Sequence, residues 1–574
     1  MEKRVLLAIF LAFIVLYGWQ TFFVKPAPKP PAGSVSATTG ASTTAQAGAA
    51  ASVATSANPL APIDSAAPAA PTVVGESAER EVRVETEDVI AVFTNRGARL
   101  KSWRLKHYLN ADHQPQELVD HELASQPYPF TLKTANDAVT STLNSGLFTV
   151  TGAPDGIADS PVDLKFEYQN SAGLRAVKQF HLKPSSYIVS FQATVTDGDR
   201  PVASSIVWGP AMGDVGEVSR YTIKAEGLLF QNEKVVRLAA KDVAKQPVYE
   251  GDFKYVGVDD NYFMTTALAP GPAKVSYEQV VVPAPAGSKD APRELMSYTL
   301  EPQPDVAVNF FVGPKDFDVL SAIGPDVARG INFGMFTIIV VPLLKSLKWV
   351  NGFIGNYGWS IIILTIIINL MMFPLRHKSM VSMRKMQEIQ PQVKAIQDRY
   401  SKMKATDPNN KMNTELMALY KERGVNPASG CVPMILTFPF IFAFYALLST
   451  AIELRGAPFI GWIHDLSAHD PYFVTPILMG ISQVWQQRLA PATGMDPAQQ
   501  KMMLVMPVFF TFLFLWYPSG VALYWLVNNV WAIGQQYTTN YLIGPPTVRA
   551  VRPPAERRMK RVGHGKTDAA AGES

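Results

Sequence analysis

The chain has 574 residues, a formal net charge of +4, a mean hydropathy of +0.06 and a single cysteine, Cys431. That length accommodates several domains, and one thiol excludes an intramolecular disulfide and any cysteine-based metal cluster. No HExxH, P-loop, GxSxG or dinucleotide-binding fingerprint occurs, so the expectation is no catalytic residue, no metal and no cofactor.

Taken in chain order, residues 1–24 read as a transmembrane signal-anchor. Lys3 and Arg4 precede the apolar run Val5–Val24, which exceeds the ~7–15 residues of a cleavable signal core, and Lys25-Pro26 follows without a good cleavage site. Residues 25–79 are mostly Ala, Ser, Thr, Pro and Gly, too poor in large apolar groups to offset ordering entropy, and read as a flexible linker. Residues 80–331 change to short alternating runs: Val89–Phe93, Leu147–Val150, Leu164–Tyr168, Ala176–Leu182, Ile188–Thr196, Lys274–Val281 and Glu294–Leu300. Turn signals at Gly97, 169–173 and 197–199 separate them, so an all-β antiparallel sandwich is predicted.

A short helix is predicted over Asp316–Ile323, then an amphipathic interfacial helix within 332–357. Lys345, Lys348 and Pro342 interrupt the latter's apolar surface, and Trp349 suits headgroup level. Residues 358–543 contain five hydrophobic segments: Trp359–Leu375, Val432–Ile452, Tyr472–Trp485, Met502–Tyr517 and Val521–Ile533. With the anchor they make six transmembrane helices, each near the ~20 residues a span needs, although Tyr472–Trp485 and Val521–Ile533 are short or weak. Pro374, Pro433, Pro439, Pro476 and Pro507 suggest helices that bend around an interior.

Between the first two of these five, residues 376–430 repeat apolar side chains at helical spacing: Met383, Met386, Ile389, Val393, Ile396 and Tyr400. The spacing resumes with Met412, Leu416, Leu419 and Tyr420 after Asp407-Pro408-Asn409, which predicts a helical hairpin. Residues 376–431 carry eleven Lys and Arg against five Asp and Glu, and the tail 544–574 carries Arg549, Arg552, Arg557, Arg558, Lys560, Arg561 and Lys566. Loop 453–471 is acidic by comparison. The positive-inside rule therefore places both termini and the hairpin in the cytoplasm, with residues 25–358 outside.

Several runs resemble the YidC/Oxa/Alb family of membrane insertases: Asn356-Tyr357-Gly358-Trp359-Ser360, Val425-Asn426-Pro427, Gly430-Cys431-Val432-Pro433 and Glu453-Leu454-Arg455-Gly456-Ala457-Pro458-Phe459. Trp462-Ile463-His464-Asp465-Leu466-Ser467 and Leu515-Trp516-Tyr517-Pro518-Ser519-Gly520 continue the likeness, which is specific over 332–543 and architectural before that. The resemblance implies a multi-pass protein of the bacterial inner membrane: an α-helical bundle with a five-helix core and a periplasmic β-supersandwich. It also implies an insertase and chaperone for nascent membrane proteins, working alone or with the Sec translocon, through a hydrophilic groove open to cytoplasm and lipid.

The family's groove positions fall on Thr365, Asn369 and Trp525, with Tyr524 adjacent. At Asn369 the family usually has arginine, and many relatives have tyrosine at Trp525, so the chain departs from its pattern at both. Arg376, two turns beyond Asn369, is the expected substitute cation at the groove mouth. Gln483, Gln486, Asn528 and Asn529 suit either groove lining or interhelical hydrogen bonds, and Met434 and Phe438 are candidate client contacts. Arg384, Lys385, Arg549, Arg552, Arg557, Arg558, Lys560 and Arg561 are expected to meet the ribosome or the signal-recognition-particle receptor.

Two other readings compete. A transporter would show internal repeats and charges deep in the spans, and 359–375 and 432–452 contain no Asp, Glu, Lys or Arg. A membrane-tethered periplasmic protein that binds or modifies carbohydrate would use the β domain, where His107, His113, Asp259 and Asp260 are loose candidates without a distinctive spacing.

Overall fold

The computed structural model describes residues 72–110, 112–119, 126–209, 225–282, 293–401, 408–424, 432–489 and 497–543. The expected anchor 1–24, most of the linker 25–79 and the basic tail 544–574 lie outside the described residues.

The β region forms a 14-stranded antiparallel sheet and a separate 4-stranded one. The main path of the large sheet runs Thr72–Val74, Val162–Asn170, Leu174–Leu182, Ile188–Asp197, Val308–Pro314, Phe263–Val282, Val248–Asp259, Glu226–Gln231 and Lys234–Leu238. Thr72–Val74 already pairs with Val162–Asn170, inside the stretch expected as a tether, because Glu76 just beyond it is held by Arg80, Asn95 and the Val150 amide. Period-two patterning explains the layers. Leu164, Phe166, Ala176, Phe180 and Phe191 point inward from neighbouring strands and meet Phe130, Trp208 and Phe310.

A lysine shares that inward face. Lys178 is fully buried, and its ammonium donates to the carbonyls of Gly97 (2.6 Å), Phe130 (2.8 Å) and Ala98 (3.2 Å). Those three residues have φ of +69°, +66° and +48°, so the lysine ties down two left-handed turns from inside.

The helices in chain order are α1 (Asp137–Ser145), α2 (Ala240–Val243), α3 (Phe317–Ile323), α4 (Pro325–Ala328), α5 (Thr337–Ile354), α6 (Tyr357–Ser401), α7 (Pro408–Glu422), α8 (Val432–Thr450), α9 (Val474–Leu489), α10 (Pro497–Phe514) and α11 (Ser519–Ile543). Asp316 is the N-cap of α3 rather than its first residue, accepting from the amides of Asp318 and Val319. Helix α5 buries Val340, Leu343, Leu344, Leu347 and Val350 and exposes the apolar Ile338, Trp349 and Phe353. By length and composition alone, Gly334–Ile354 and Tyr357–Ser382 are both apolar enough to cross a membrane.

In helix α6 the span and the first hairpin helix are continuous: 45 residues run unbroken through Pro374 and Pro391. At 1.5 Å per residue such a helix is ~67 Å long, roughly twice a ~30 Å hydrocarbon core, so half of it must protrude. Each proline removes one backbone donor and crowds the carbonyl four residues back, yet the helix continues through both. The protruding half pairs with α7 around Ile389, Val393, Ile396 and Leu416, and Arg399 bridges to Glu415 at 2.9 Å.

Candidate functional site: a polar cleft between three helices

Thr365, Asn369, Met372 and Arg376 recur at spacings of four, three and four, so α6 presents them as one stripe. The stripe is an internally bonded ladder. Thr365 Oγ1 donates to the Ile361 carbonyl (2.6 Å), Asn369 Nδ2 donates to the Thr365 carbonyl (2.8 Å), and Arg376 Nη1 donates to Asn369 Oδ1 (2.6 Å). Facing it, α8 supplies Phe440 and Phe444, and α11 supplies Tyr524 and Asn528, each pair four residues apart. With Ile368 these residues surround a small cleft of about 10 Å³. Tyr524 stacks on Phe444 with ring centroids 4.5 Å apart, joining the α8 and α11 walls.

Thr365 (1% exposed), Asn369 (3%) and Tyr524 (6%) are therefore brought together as expected, and Arg376 joins them. Trp525 is not. One position round the helix from Tyr524, it packs against Phe510 and Phe514 of α10, at 6.0 and 5.3 Å between centroids. Phe438 faces outward at 41% exposure against Phe442, away from the cleft that Phe440 and Phe444 line. The side chains of Met434 and Arg384 lie outside the described residues, as does the tail with Arg549, Arg552, Arg557, Arg558, Lys560 and Arg561, whereas Lys385 is exposed on α6. The amides divide: Asn528 lines the cleft, and Asn529 donates to Ser482 Oγ (3.1 Å) and the Met479 carbonyl (3.3 Å), tying α11 to α9. Sequence reasoning missed Ile368, Met372, Phe440 and Phe444; the i, i+4 relation of Phe440 to Phe444 was the available signal.

Loop 451–473 packs against the start of α11. Ser519 and Gly520, which open α11, donate their amides to the carbonyls of Ala468 (2.7 Å) and Leu466 (2.9 Å). A Cβ on Gly520 would lie 3.2 Å from the Leu466 oxygen, so the glycine permits this approach. Asp470 organises the loop: Oδ1 accepts from Trp462 Nε1 and the Tyr472 amide, and Oδ2 from the Thr475 amide and hydroxyl, at 2.7–3.0 Å. Burial pushes its carboxyl up, but these hydrogen bonds outweigh burial and hold it below the usual range.

The residues considered for carbohydrate are engaged separately. His107 lies 3.2 Å from Asp88 at the surface, and Asp259 is buried 2.9 Å from Lys315.

Residues 349–544 match the family described as "60Kd inner membrane protein", and residues 81–346 match "YidC periplasmic domain". The chain is 34% identical to the membrane protein insertase YidC of Geotalea daltonii, over 94% of this chain and 99% of that protein. It is 36% identical to that of Citrifermentans bemidjiense, again over 94% and 99%. A solved structure of an active YidC insertase with its first transmembrane domain resolved aligns over 82% of this chain and 94% of its own, at 18% identity and a TM-score of 0.33. The family models and the relatives define an inner-membrane insertase, with a helical region and a large periplasmic β domain, whose substrates are nascent membrane proteins. The chain belongs to the YidC family.

Proposed function

We propose that the cleft between α6, α8 and α11 shelters the short polar tail or loop of a client while the client's apolar segment slides along the lipid-facing helices. One observation carries this reading: a guanidinium and two polar side chains stand in a bundle whose outer faces are apolar, among them Leu370 (61% exposed), Met371 (75%), Val508 (64%) and Phe512 (63%). A polar group left in hydrocarbon costs several kcal/mol, and a wet cleft open to the cytoplasm removes part of that cost and shortens the apolar distance to be crossed. The step needs no bond to be made or broken, so the protein acts without nucleotide, metal or covalent chemistry.

In this reading both termini and the α6–α7 hairpin are cytoplasmic, residues 25–358 are periplasmic, and six helices cross the membrane. Helix α5 lies along the outer leaflet with Trp349 and Phe353 at headgroup level. The hairpin's excess of Lys and Arg and the basic tail suit a ribosome or signal-recognition-particle receptor on the cytoplasmic side, and the Sec translocon is the partner for larger clients.

The test is insertion of a single-span client with a short translocated tail into vesicles reconstituted with this protein alone. The tail should become protected from added protease. Protection in protein-free vesicles to the same extent would refute the reading.

A further inference from the structure

Helix α11 carries two stripes roughly a quarter-turn apart. At ~100° per residue, Tyr524, Asn528, Gln535 and Thr539 fall within ~60° of one another, and Trp525 and Asn529 lie to one side of them. The first stripe faces α6 and the cleft: Tyr524 and Asn528 line the cleft, Gln535 Nε2 donates to the Phe373 carbonyl (3.5 Å), and Thr539 Oγ1 lies 3.4 Å from His377 Nδ1. The second faces α9 and α10. Trp525 packs on Phe510 and Phe514, and Asn529 Nδ2 donates to Ser482 Oγ (3.1 Å) and to the Met479 carbonyl (3.3 Å).

Turning α11 by one residue step would exchange Tyr524 for Trp525 at the cleft. Packing discriminates poorly between two bulky aromatics, and lipid supplies no hydrophobic force to choose between helix faces. A buried hydrogen bond does choose, because a turned helix carries the Asn529 amide, 3% exposed, away from its acceptors. Those acceptors are engaged without it. Ser482 Oγ itself donates to the Met479 carbonyl (2.6 Å), so removing the amide strands no donor on α9. The amide thus contributes more to which way α11 faces than to whether the bundle forms.

We propose that Asn529 is a positioning residue for client insertion: its bonds to α9, with Gln535 marking the α6 side, set the rotation that presents Tyr524 and Asn528 to the cleft and keeps Trp525 out. The inference rests on the cleft being the client groove. An interhelical hydrogen bond in a membrane bundle favours its bonded state roughly threefold, so losing two should raise the turned fraction by about 3- to 10-fold.

The experiment uses the full chain with Cys431→Ser, nitroxide labels introduced by Leu370→Cys on α6 and Val530→Cys on α11, and vesicles of phosphatidylethanolamine and phosphatidylglycerol. Both labelled positions are exposed. Pulsed electron resonance reads the rotation of α11 without a client. In unlabelled counterparts, p-benzoylphenylalanine at 524 or 525 reads which position captures a stalled nascent membrane protein. Asn529→Leu should add a second distance population and raise the 525-to-524 capture ratio about 3- to 10-fold. Ser482→Ala leaves the Met479 carbonyl in place and should do the same to a smaller degree, as should Gln535→Leu from the other stripe, which keeps the test open if Asn529→Leu folds poorly. A single parent-like population in the variants that fold would overturn the inference. So would broadening about the parent mean with capture at 524 and 525 falling together, the mark of a merely loosened bundle. A second population with an unchanged capture ratio would instead leave the rotational role standing and remove the reading of the cleft as the groove.

Discussion

Arg376 donates to Asn369 Oδ1 at 2.6 Å, seven residues and two turns along the same face of α6. The family resemblance sets a cation at position 369; here an amide stands there, and the guanidinium reaches it from below. Positive charge is thus retained in the cleft but enters from nearer the hairpin end of the helix. Replacing Arg376 with Gln keeps a donor and removes the charge. Insertion of a client with an acidic tail should fall relative to its neutral-tailed twin on the order of 10-fold, about 1.4 kcal/mol, because a partly wet cleft screens the attraction well below its dry-interior value. Paired insertion assays with the two tails give that ratio.

Asn369→Leu removes the acceptor that Arg376 uses and should impair insertion of every tail, at an expense of about 1–3 kcal/mol for the stranded donor. Asn369→Arg by itself sets two guanidiniums against one another and should also impair it. Joined to Arg376→Asn, the same change moves the single cation two turns deeper and should restore insertion of acidic tails. Measuring the two single variants and the swap in one assay checks the sign of each step.

The seam between α9 and α10 is tight. A Cβ on Gly480 would fall 2.0 Å from Thr511 Oγ1, and that hydroxyl already donates to the Pro507 carbonyl at 2.7 Å. Gly480→Ala should therefore destabilise the bundle by about 1–3 kcal/mol, and adding Thr511→Ala should recover part of the loss. Thermal unfolding of the two singles and the double in detergent, treated as a double-mutant cycle, tests for that coupling.

Much of this was legible in the sequence, for identifiable reasons. Alternation found the strands because one face of each is buried, and the 365/369 spacing put two cleft residues together because four residues nearly complete a helical turn. What escaped depends on rotation and tertiary contact. Trp525 and Tyr524 are neighbours in sequence, yet only Tyr524 reaches the cleft, and single-residue steps of ~100° around α11 cannot be resolved from hydropathy when both sides are apolar. Phe438 and Phe440 differ in the same way. The contacts of Arg455 with the Leu109 carbonyl and Gln116 join residues more than 300 apart, which no local pattern reports.

Asp470 makes the outer cap pH-sensitive in a defined direction. Its folded carboxyl lies below the ordinary 3.8, so its stabilising contribution is complete above about that pH and is lost as pH falls through the lower, folded value. Asp470→Asn should remove that acid-dependent contribution and destabilise the cap at neutral pH by about 1–3 kcal/mol. Because Trp462 Nε1 is one of the donors, its indole fluorescence during acid titration of parent and variant reports the difference.

The central claim is that the cleft itself, and not merely the surface of the bundle, receives the client. The most direct measurement places a photoreactive p-benzoylphenylalanine at Tyr524, Trp525 or Asn528 and illuminates the full-length protein engaged with a stalled nascent membrane protein. Positions 524 and 528 should capture the client's polar tail, and position 525, turned toward Phe510 and Phe514, should capture little. Capture from 525 equal to or stronger than that from 524 and 528 would contradict the account.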